Sequence, residues 1–140
     1  MTIKRVTSVD ESIISQLNQL LEHPWEQGQA VQFLANEDNA LFLAFEETEV
    51  IAFLTAHRLQ RLDKRKAEVL LYEVEVKELF RQRGVGKALI EAVKNWGKQV
   101  GADEVWVLTY QSNLPAMKLY ASSGGVEDEP GTTMFTFVLQ

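Results

Sequence analysis

The stretch EVLLYEVEVKELFRQRGVGKAL, residues 68–89, changes its apolar spacing part of the way along. Towards the end of residues 69–76, apolar residues alternate with glutamates, which is the period of two that a β-strand requires. From Val85 onward the apolar residues recur three and four positions apart, and Gly101 ends that run. The stretch therefore predicts a strand over 69–76 that leads into an amphipathic helix through the loop 81–86.

The loop 81–86, with the sequence RQRGVG, has the chemistry of an anion site. The start of a helix leaves backbone N–H groups without partners and carries the positive end of the helix dipole. Gly84 and Gly86 lack a Cβ atom, so a phosphate can approach the main chain closely. Positive charge is added by the neighbouring side chains Arg81, Arg83 and Lys87. The loop therefore predicts a site for a pyrophosphate.

The sequence of this loop does not match two common phosphate-binding motifs. A dinucleotide-binding fingerprint places a small residue where Leu89 stands, and a P-loop places Ser or Thr where Ala88 stands. The remaining pattern is R-x-x-G-x-G behind an apolar strand. The alternative interpretation is a helix start with two turn glycines and no ligand.

Composition limits the class of protein. A chain of 140 residues with 46% hydrophobic residues predicts one globular domain over residues 1–140. The absence of cysteine excludes thiol nucleophiles, thiolate metal sites and disulfides. A net charge of −6 argues against a nucleic-acid partner and favours cationic ligands. Without a signal-peptide core or a membrane-length apolar run, we expect a cytoplasmic protein with no membrane partner.

The rest of the chain predicts a mixed α/β (α+β) fold. Further strands are expected at 2–7, 40–45, 50–59, 104–110 and 133–139. Helices are expected from a capping box at Ser8–Glu11, over 25–36, and after Asn113, with a turn over 127–131. This order predicts a central mixed sheet of six to seven strands with helices on both faces.

Two motifs together resemble a known family. The first is the strand 69–76 followed by the loop 81–86. The second is Asn113, then Ala116, then Leu119 and Tyr120, on the helix after the strand 104–110. This arrangement resembles the GNAT superfamily of N-acetyltransferases over nearly the whole chain. The run 71–76 and the segments that follow look most like the aminoglycoside 3-N-acetyltransferase branch.

The resemblance implies acetyl-CoA as the cofactor and a sheet that splays between strands 69–76 and 104–110. The pantetheine arm would lie in the splay, with Val74 and Val76 as backbone partners. The residues that the resemblance places at the cofactor are Val74, Glu75, Val76, Arg81, Gln82, Arg83, Gly84, Val85, Gly86, Lys87, Asn113, Ala116 and Tyr120. No metal site is expected, because no set of His, Asp and Glu residues has a suitable spacing.

The expected reaction is direct transfer of acetyl to an amine, without a covalent enzyme intermediate. A protonated amine must lose a proton before it attacks, and Glu73 is the first candidate base, with Glu75 second. Tyr120 is the candidate donor to the leaving thiolate. The candidate acceptor-binding residues are Trp25, Glu73, Glu75 and Tyr110. The alternatives without a catalytic role are a solvated strand face for the glutamates and core packing for the tyrosines. Both histidines are expected to be structural.

The acceptor is open at this point. The first expectation is a primary amine on a small cationic molecule, resembling an aminoglycoside or a polyamine. Acetylation of a protein N-terminus or lysine is an alternative, and so is a regulatory module that binds acyl-CoA without catalysis. The resemblance also implies a possible homodimer.

Overall fold

The computed structural model describes residues 1–129 and 131–139, and five strands and four α-helices lie in those ranges. The strands are β1 (Thr2–Val6), β2 (Asn39–Glu46), β3 (Glu49–Leu59), β4 (Ala67–Val76) and β5 (Ala102–Trp106). The helices are α1 (Glu11–Asn18), α2 (Gln27–Ala35), α3 (Val85–Gln99) and α4 (Leu114–Ser122), and a 3₁₀ turn covers Glu78–Phe80. Within the same ranges, each helix is too short or too polar to cross a membrane.

The five strands form one mixed sheet in the order β1-β2-β3-β4-β5. The first four are antiparallel, and β4 pairs with β5 in parallel. The tight turn between β2 and β3 contains Glu47 with φ of 56°, a conformation that few side chains adopt. The parallel pair needs a crossover, and α3 provides it. The predicted mixed sheet is confirmed, with five strands instead of six to seven.

Helices cover both faces of the sheet, as predicted. The larger core cluster packs α3 against one face and includes Leu54, Val69, Leu89 and Trp96. The smaller cluster packs α1 and α2 against the other face. The apolar residues of α3 three and four apart form its buried side, which is why that helix has a clear sequence signal.

The capping box predicted at Ser8 and Glu11 is wrong. Asp10 is the N-cap of α1, and its Oδ1 accepts a hydrogen bond from the Ile13 N–H at 2.9 Å. Val9 is buried in the smaller core cluster just before the helix begins. A helix starting at Ser8 would use Val9 in its first turn, so packing selects the later cap.

Two predicted strands differ from the structure. The strand predicted over 104–110 is β5, which ends at Trp106. Within the described residues, the strand predicted over 133–139 forms no pairing, and its apolar side chains are exposed. Strand-forming residues need a partner edge, and this segment finds none among residues 1–129 and 131–139. Pro130, within the turn predicted over 127–131, lies outside the described residues, as does Gln140.

Candidate active site

The parallel pair β4 and β5 opens into a cleft. Pairing runs from Ala67 opposite Ala102 to Leu70 opposite Trp106, and then stops. Strand β4 continues to Val76, whereas the chain leaves the sheet after Trp106. The side of residues 71–76 that faces away from β3 therefore has no strand partner among the described residues. The predicted splay is confirmed, and it exposes backbone groups that an extended ligand can pair with.

A β-bulge sits where the splay begins. Glu73 lies opposite Thr55 and Leu71 lies opposite Ala56, so Tyr72 is an extra residue in β4. Leu71 and then Val74 pack towards the core cluster under α3. The extra residue shifts the alternation, so Tyr72 and Glu73 share the opposite face of the sheet. The bulge thereby places an aromatic ring and a carboxylate side by side at the cleft.

The loop after β4 ends in an unusual helix start. Gly84 is the N-cap of α3 with φ of 82°, and Gln82 before it has φ of 61°. Within the described residues, no side chain caps this first turn. The Ala88 N–H bonds to the Gly84 carbonyl at 3.0 Å, which leaves the preceding N–H groups of the helix start for a ligand. Such a start is suited to binding an anion, and the predicted pyrophosphate site stays a prediction.

Gly84 and Gly86 each disfavour a larger residue, but for different structural reasons. Nothing lies within 4 Å of a Cβ built on Gly84, so its positive φ is what requires glycine. A Cβ on Gly86 would lie 3.1 Å and 3.2 Å from the two methyl carbons of Leu119. Gly86 therefore allows α4 to pack on α3. The predicted approach of a phosphate to the Gly86 main chain stays a prediction.

The basic residues of the loop are partly engaged with the loop itself. The Arg81 Nε donates to the Val76 carbonyl at 2.9 Å, and its Nη2 lies 2.7 Å from the Glu75 Oε1. The Arg83 guanidinium lies 5.5 Å from the centre of the Phe80 ring. Arg81 therefore braces the turn, and it occupies the carboxylate that was the second candidate base.

A row of aromatic side chains approaches the cleft from the α2 side. Ring centres are separated by 6.0 Å from Trp25 to Phe33, 5.8 Å from Phe33 to His57, and 5.6 Å from His57 to Tyr72. Each pair is edge-to-face, a favourable geometry for aromatic rings. Asn18 holds the Trp25 backbone through two hydrogen bonds. Trp25 was predicted to bind the acceptor substrate. It connects to Tyr72 through Phe33 and His57, which were not predicted as site residues.

His57 has a defined tautomer. The Asn39 Nδ2 donates to the Phe33 carbonyl at 3.0 Å, so the Asn39 Oδ1 is the acceptor that faces His57. The His57 Nδ1–H donates to that oxygen at 2.8 Å, which leaves the Nε2 lone pair available. Burial lowers the pKa of His57, and the charge of Glu73 partly opposes this. The imidazole is therefore neutral at pH 7. Its partner is 18 residues away, so no local pattern indicated this arrangement.

The two predicted catalytic residues lie on opposite sides of the opened sheet. Glu73 is exposed, and its carboxylate has no ion pair or hydrogen bond within residues 1–129 and 131–139. Tyr120 is half-buried against the cluster under α3 and lines a groove of 510 Å³ beside Val105 and Val107. Burial raises the pKa of the Tyr120 phenol, so the hydroxyl keeps its proton at neutral pH.

The remaining predicted site residues have simpler positions. The Asn113 Oδ1 accepts from the Ala116 N–H at 3.2 Å and caps α4, as the sequence predicted. Lys87 is exposed on the first turn of α3. Tyr110 is exposed in the segment after β5, and its carbonyl accepts from the Asn113 N–H at 2.9 Å. Tyr110 is not part of the aromatic row.

The splayed sheet and the uncapped start of α3 define the class of protein. Residues 11–124 match the acetyltransferase (GNAT) family, and the chain belongs to that family. Family membership confirms the resemblance to the GNAT family that the two sequence motifs indicated.

Similar proteins act on different acceptors. The chain is 34% identical over 104 residues to a [ribosomal protein bS18]-alanine N-acetyltransferase of Haemophilus ducreyi, covering 72% of this chain and 65% of that protein. An aminoglycoside acetyltransferase, meta-AAC0020 from a soil metagenomic sample, in complex with sisomicin, has a TM-score of 0.89 at 22% identity, covering 99% and 96%. Aminoglycoside N-acetyltransferase AAC(6')-Iy in complex with CoA has a TM-score of 0.78 at 24% identity, covering 98% and 100%. At these identities the two solved structures show the fold alone.

Proposed function

We propose that this protein transfers the acetyl group of acetyl-CoA to a primary amine on a small cationic acceptor, resembling an aminoglycoside or a polyamine. The observation that carries the proposal is the bulge at Tyr72, which places the unpaired carboxylate of Glu73 on one face of the cleft beside an aromatic row. Membership of the acetyltransferase family supports the reaction class. The reaction forms an N–C bond and breaks a C–S bond.

The residues around the cleft fit acetyl-CoA. The unpaired side of β4 at Val74 and Val76 offers backbone groups to an extended amide-containing arm. The uncapped start of α3 at Gly84 offers N–H groups and a helix dipole to a pyrophosphate. When bound, acetyl-CoA supplies an activated thioester carbonyl. The proposed cofactor-binding residues are those of the strand, the loop and α4: Val74, Glu75, Val76, Arg81, Gln82, Arg83, Gly84, Val85, Gly86, Lys87, Asn113, Ala116 and Tyr120.

Glu73 is the proposed base. An alkylammonium has a pKa of about 10.4, so the enzyme must remove a proton at neutral pH. The Glu73 carboxylate is exposed and unpaired in the described chain, whereas the Glu75 carboxylate is held by Arg81. His57 lies close enough to Glu73 for that carboxylate to raise the pKa of the imidazole, and the Nε2 of His57 is free. Glu73 thus both attracts the cation and accepts its proton.

Tyr120 is the proposed donor on the other side of the cleft. Its phenol keeps the proton at neutral pH because burial raises its pKa. The Leu119 side chain packs directly against Gly86 and so holds α4 against α3. This packing also fixes the position of Tyr120, the next residue on α4. A hydroxyl in this position can donate to a leaving sulfur as negative charge develops.

The aromatic row of Trp25, Phe33, His57 and Tyr72 suits a cationic amine, because its last ring is exposed beside Glu73. Tyr72 is 61% exposed, so its ring is available to a ligand. A cation over a tyrosine ring and next to a carboxylate gains from both contacts. The net charge of −6 acts in the same direction at long range.

Acetylation of a protein N-terminus is a second candidate, because a protein 34% identical to this chain is an N-acetyltransferase of the alanine of ribosomal protein bS18. An N-terminal amine needs no aromatic wall, but it needs space for the peptide that follows. Peptides starting with alanine therefore belong in the substrate panel. A module that binds CoA without turnover would be recognised by an inactive protein with unchanged CoA affinity.

The test is thiol release from acetyl-CoA with aminoglycosides, polyamines, amino acids and peptides. We expect turnover with cationic small amines and a loss of kcat/KM of about 10²–10⁴-fold in Glu73→Gln, with unchanged CoA affinity. Glu104→Gln removes an exposed carboxylate from β5 and should retain activity. Tyr120→Phe should lower kcat with little effect on KM. Preferred turnover of a peptide, or full activity in Glu73→Gln, would reject the respective part of the proposal.

A further inference from the structure

Three polar side chains near the bulge have unused hydrogen-bonding groups. The Glu73 carboxylate has no partner in residues 1–129 and 131–139, and the Nε2 of His57 accepts no hydrogen bond there. The Oγ1 of Thr55 is buried and also has no partner within those ranges. Folded proteins leave few buried polar groups unpaired, so an unpaired hydroxyl beside two other unused groups marks a place where something else binds.

The three groups lie on one face of the sheet. Phe53 packs in the smaller core cluster, and alternation along β3 places Thr55 and His57 on the same side. Thr55 lies directly opposite Glu73 in the pairing of β3 with β4. Side chains that are directly opposite share a face, with Cβ atoms about 4.5–5.5 Å apart. The ring centre of His57 is 5.6 Å from that of Tyr72, which brings the imidazole to the same part of the face.

The imidazole of His57 is held in one orientation. Its Nδ1–H donates to the Asn39 Oδ1 at 2.8 Å, and its ring packs edge-to-face with the rings of Phe33 and Tyr72. The Nε2 is unpaired but not buried, so solvent reaches it. A neutral imidazole with its proton on Nδ1 can only accept at Nε2. The face therefore offers two acceptors to a ligand that donates hydrogen bonds, the Nε2 lone pair and the Glu73 carboxylate.

We propose that His57 and Glu73 together bind the ammonium group of the acceptor, with one N–H donating to the Nε2 of His57 and another to the Glu73 carboxylate. The inference rests on the proposed function, to which it adds a second binding residue. A primary ammonium group has three N–H donors, so it can bond to both side chains at once. A proton on Nε2 turns the imidazole into a positively charged donor, which pairs with Glu73 and repels the acceptor. Protons and the acceptor thus compete for one site.

The surroundings of His57 place this competition in mildly acidic solution. In the described chain, the titratable side chains that face the imidazole are Glu73 and Tyr72, both from β4. Its neighbours on β2 and α2, Asn39 and Phe33, are neutral. Burial lowers the pKa of His57, and the charge of Glu73 partly opposes this. The imidazole is therefore neutral at pH 7, and acceptor binding should weaken below about pH 6.5.

The first experiment is calorimetry of putrescine and of sisomicin with the protein saturated in CoA, which carries no acetyl group and so permits no turnover. Titrations run from pH 8 to pH 5 in the natural chain and in His57→Gln. Any pH dependence common to both proteins belongs to the amine, and the difference between them belongs to His57. We expect the Kd ratio of the natural chain to the variant to rise about tenfold for each pH unit below the pKa of His57.

Two further variants separate binding from packing. His57→Gln keeps an acceptor oxygen but cannot gain a proton, so its affinity at pH 8 should be close to that of the natural chain. His57→Phe keeps an aromatic ring against Phe33 and Tyr72 without an acceptor, so its affinity at pH 8 should fall about 10–100-fold. His23→Gln, at an exposed histidine, is the matched control and should bind both amines as the natural chain does. Circular dichroism and CoA affinity check that each variant is folded.

The second experiment observes the imidazole in the free protein. The chain has two histidines, so nitrogen NMR of labelled histidine gives two sets of signals, and His23→Gln assigns them. We expect a neutral His57 at pH 7 with its proton on Nδ1. In Glu73→Gln the His57 imidazole should gain its second proton at a lower pH, because the opposing charge is gone. Putrescine added at pH 7 should shift the Nε2 signal of His57 and leave that of His23 unchanged.

The results that overturn this inference differ from those that overturn the proposed function. If neither amine binds at pH 8, the proposed acceptor class is rejected, and the role of His57 with it. If the amines bind with the same pH dependence in the natural chain and in His57→Gln, or with full affinity in His57→Phe, the role of His57 alone is rejected. A proton on Nε2 of His57 in the free protein at pH 7 would also reject that role, whether or not an amine binds.

Discussion

The two halves of β4 have opposite environments. In residues 67–70 the strand lies between β3 and β5, and Ala67, Glu68 and Val69 are buried. In residues 71–76 it pairs with β3 alone, and its side chains after Leu71 are half-buried or exposed. The change falls at the bulge of Tyr72. One strand thus serves as scaffold in its first half and as the proposed binding site in its second, and the paired half fixes the position of the open half.

Charge follows the same division. In the closed half, the Glu68 carboxylate lies 3.0 Å from Arg61 and 3.2 Å from Lys64, and Lys64 also lies 3.1 Å from Asp103 on β5. In the open half, the Glu73 carboxylate has no such partner in the ranges that the structure describes. Paired charges hold the strands together, whereas an unpaired carboxylate at a cleft is available to a ligand.

The largest loss of stability is expected at a valine in the closed half, and a valine in the open half is the comparison. Val69→Ala removes fully buried methyl groups and should lower the free energy of unfolding by about 2 kcal/mol. Val74→Ala removes half-buried methyl groups and should cost less than about 1 kcal/mol. Urea denaturation of both variants measures the difference. Equal losses would show that the open half is as tightly packed as the closed one.

Two glycines with the same backbone conformation allow an effect on stability to be distinguished from an effect on CoA binding. Gly84 and Gly101 have φ of 82° and 81°, and nothing lies within 4 Å of a Cβ on either. Alanine at each position should therefore cost about 1–2 kcal/mol of stability. Only Gly84→Ala should also weaken CoA binding, by about tenfold if about 1.4 kcal/mol is lost from the loop. Calorimetry with CoA measures this, and an equal affinity loss in Gly101→Ala would contradict the loop assignment.

Two glycines inside α3 test the packing of its two ends. A Cβ on Gly97 would meet Val69 and Val105 at 3.5 Å and 3.6 Å, which are ordinary contacts. Gly97→Ala should therefore raise the free energy of unfolding by about 0.5–1 kcal/mol through helix propensity. Gly86→Ala should gain less, because Leu119 must move. Thermal unfolding of the two variants compares them, and a greater gain at Gly86 would mean that α4 is loosely packed.

The smallest expected effect is on acid stability. Hydrogen bonds from Arg61 and then Lys64 lower the pKa of Glu68 in the folded protein, and burial lowers the pKa of His57. In both cases the unfolded chain binds more protons, so stability falls as pH falls. For His57 the loss begins below about pH 6.5, and for Glu68 below about pH 4.3.

Melting temperatures from pH 8 to pH 3 check these two windows. His57→Gln should flatten the first window and Glu68→Gln the second. His23→Gln, at an exposed histidine, serves as the control. A variant whose profile falls in the same window as that of the unsubstituted protein would rule out the assigned group.

Local signals in the sequence were sufficient for some elements. Helix α3 has a long apolar period, and α4 begins after Asn113 with Pro115 in its first turn, so both were predicted closely. The proposal of anion binding at Gly84 likewise rests on residue chemistry alone. The cap of α1 at Asp10 was missed because Ser8 fits the same pattern, and packing of Val9 decides between them.

Contacts between distant residues were beyond local patterns. The row from Trp25 to Tyr72 joins α2, β3 and β4, and no short motif contains it. The packing of Gly86 against Leu119 involves a residue on another helix. The role of Arg81 as a brace depends on how the turn folds back to Glu75 and Val76. Strand length at β5 depends on where the splay opens, which is a property of the whole sheet.

Because β4 is paired on one side only beyond Leu70, its backbone amides can report whether a ligand occupies the cleft. Main-chain amides in residues 71–76 that point away from β3 are open to solvent, so their hydrogens should exchange with deuterium quickly. An arm lying in the gap would slow that exchange without any label on the protein. Mass spectrometry of the peptide containing these residues could therefore rank CoA analogues by how fully they occupy the cleft.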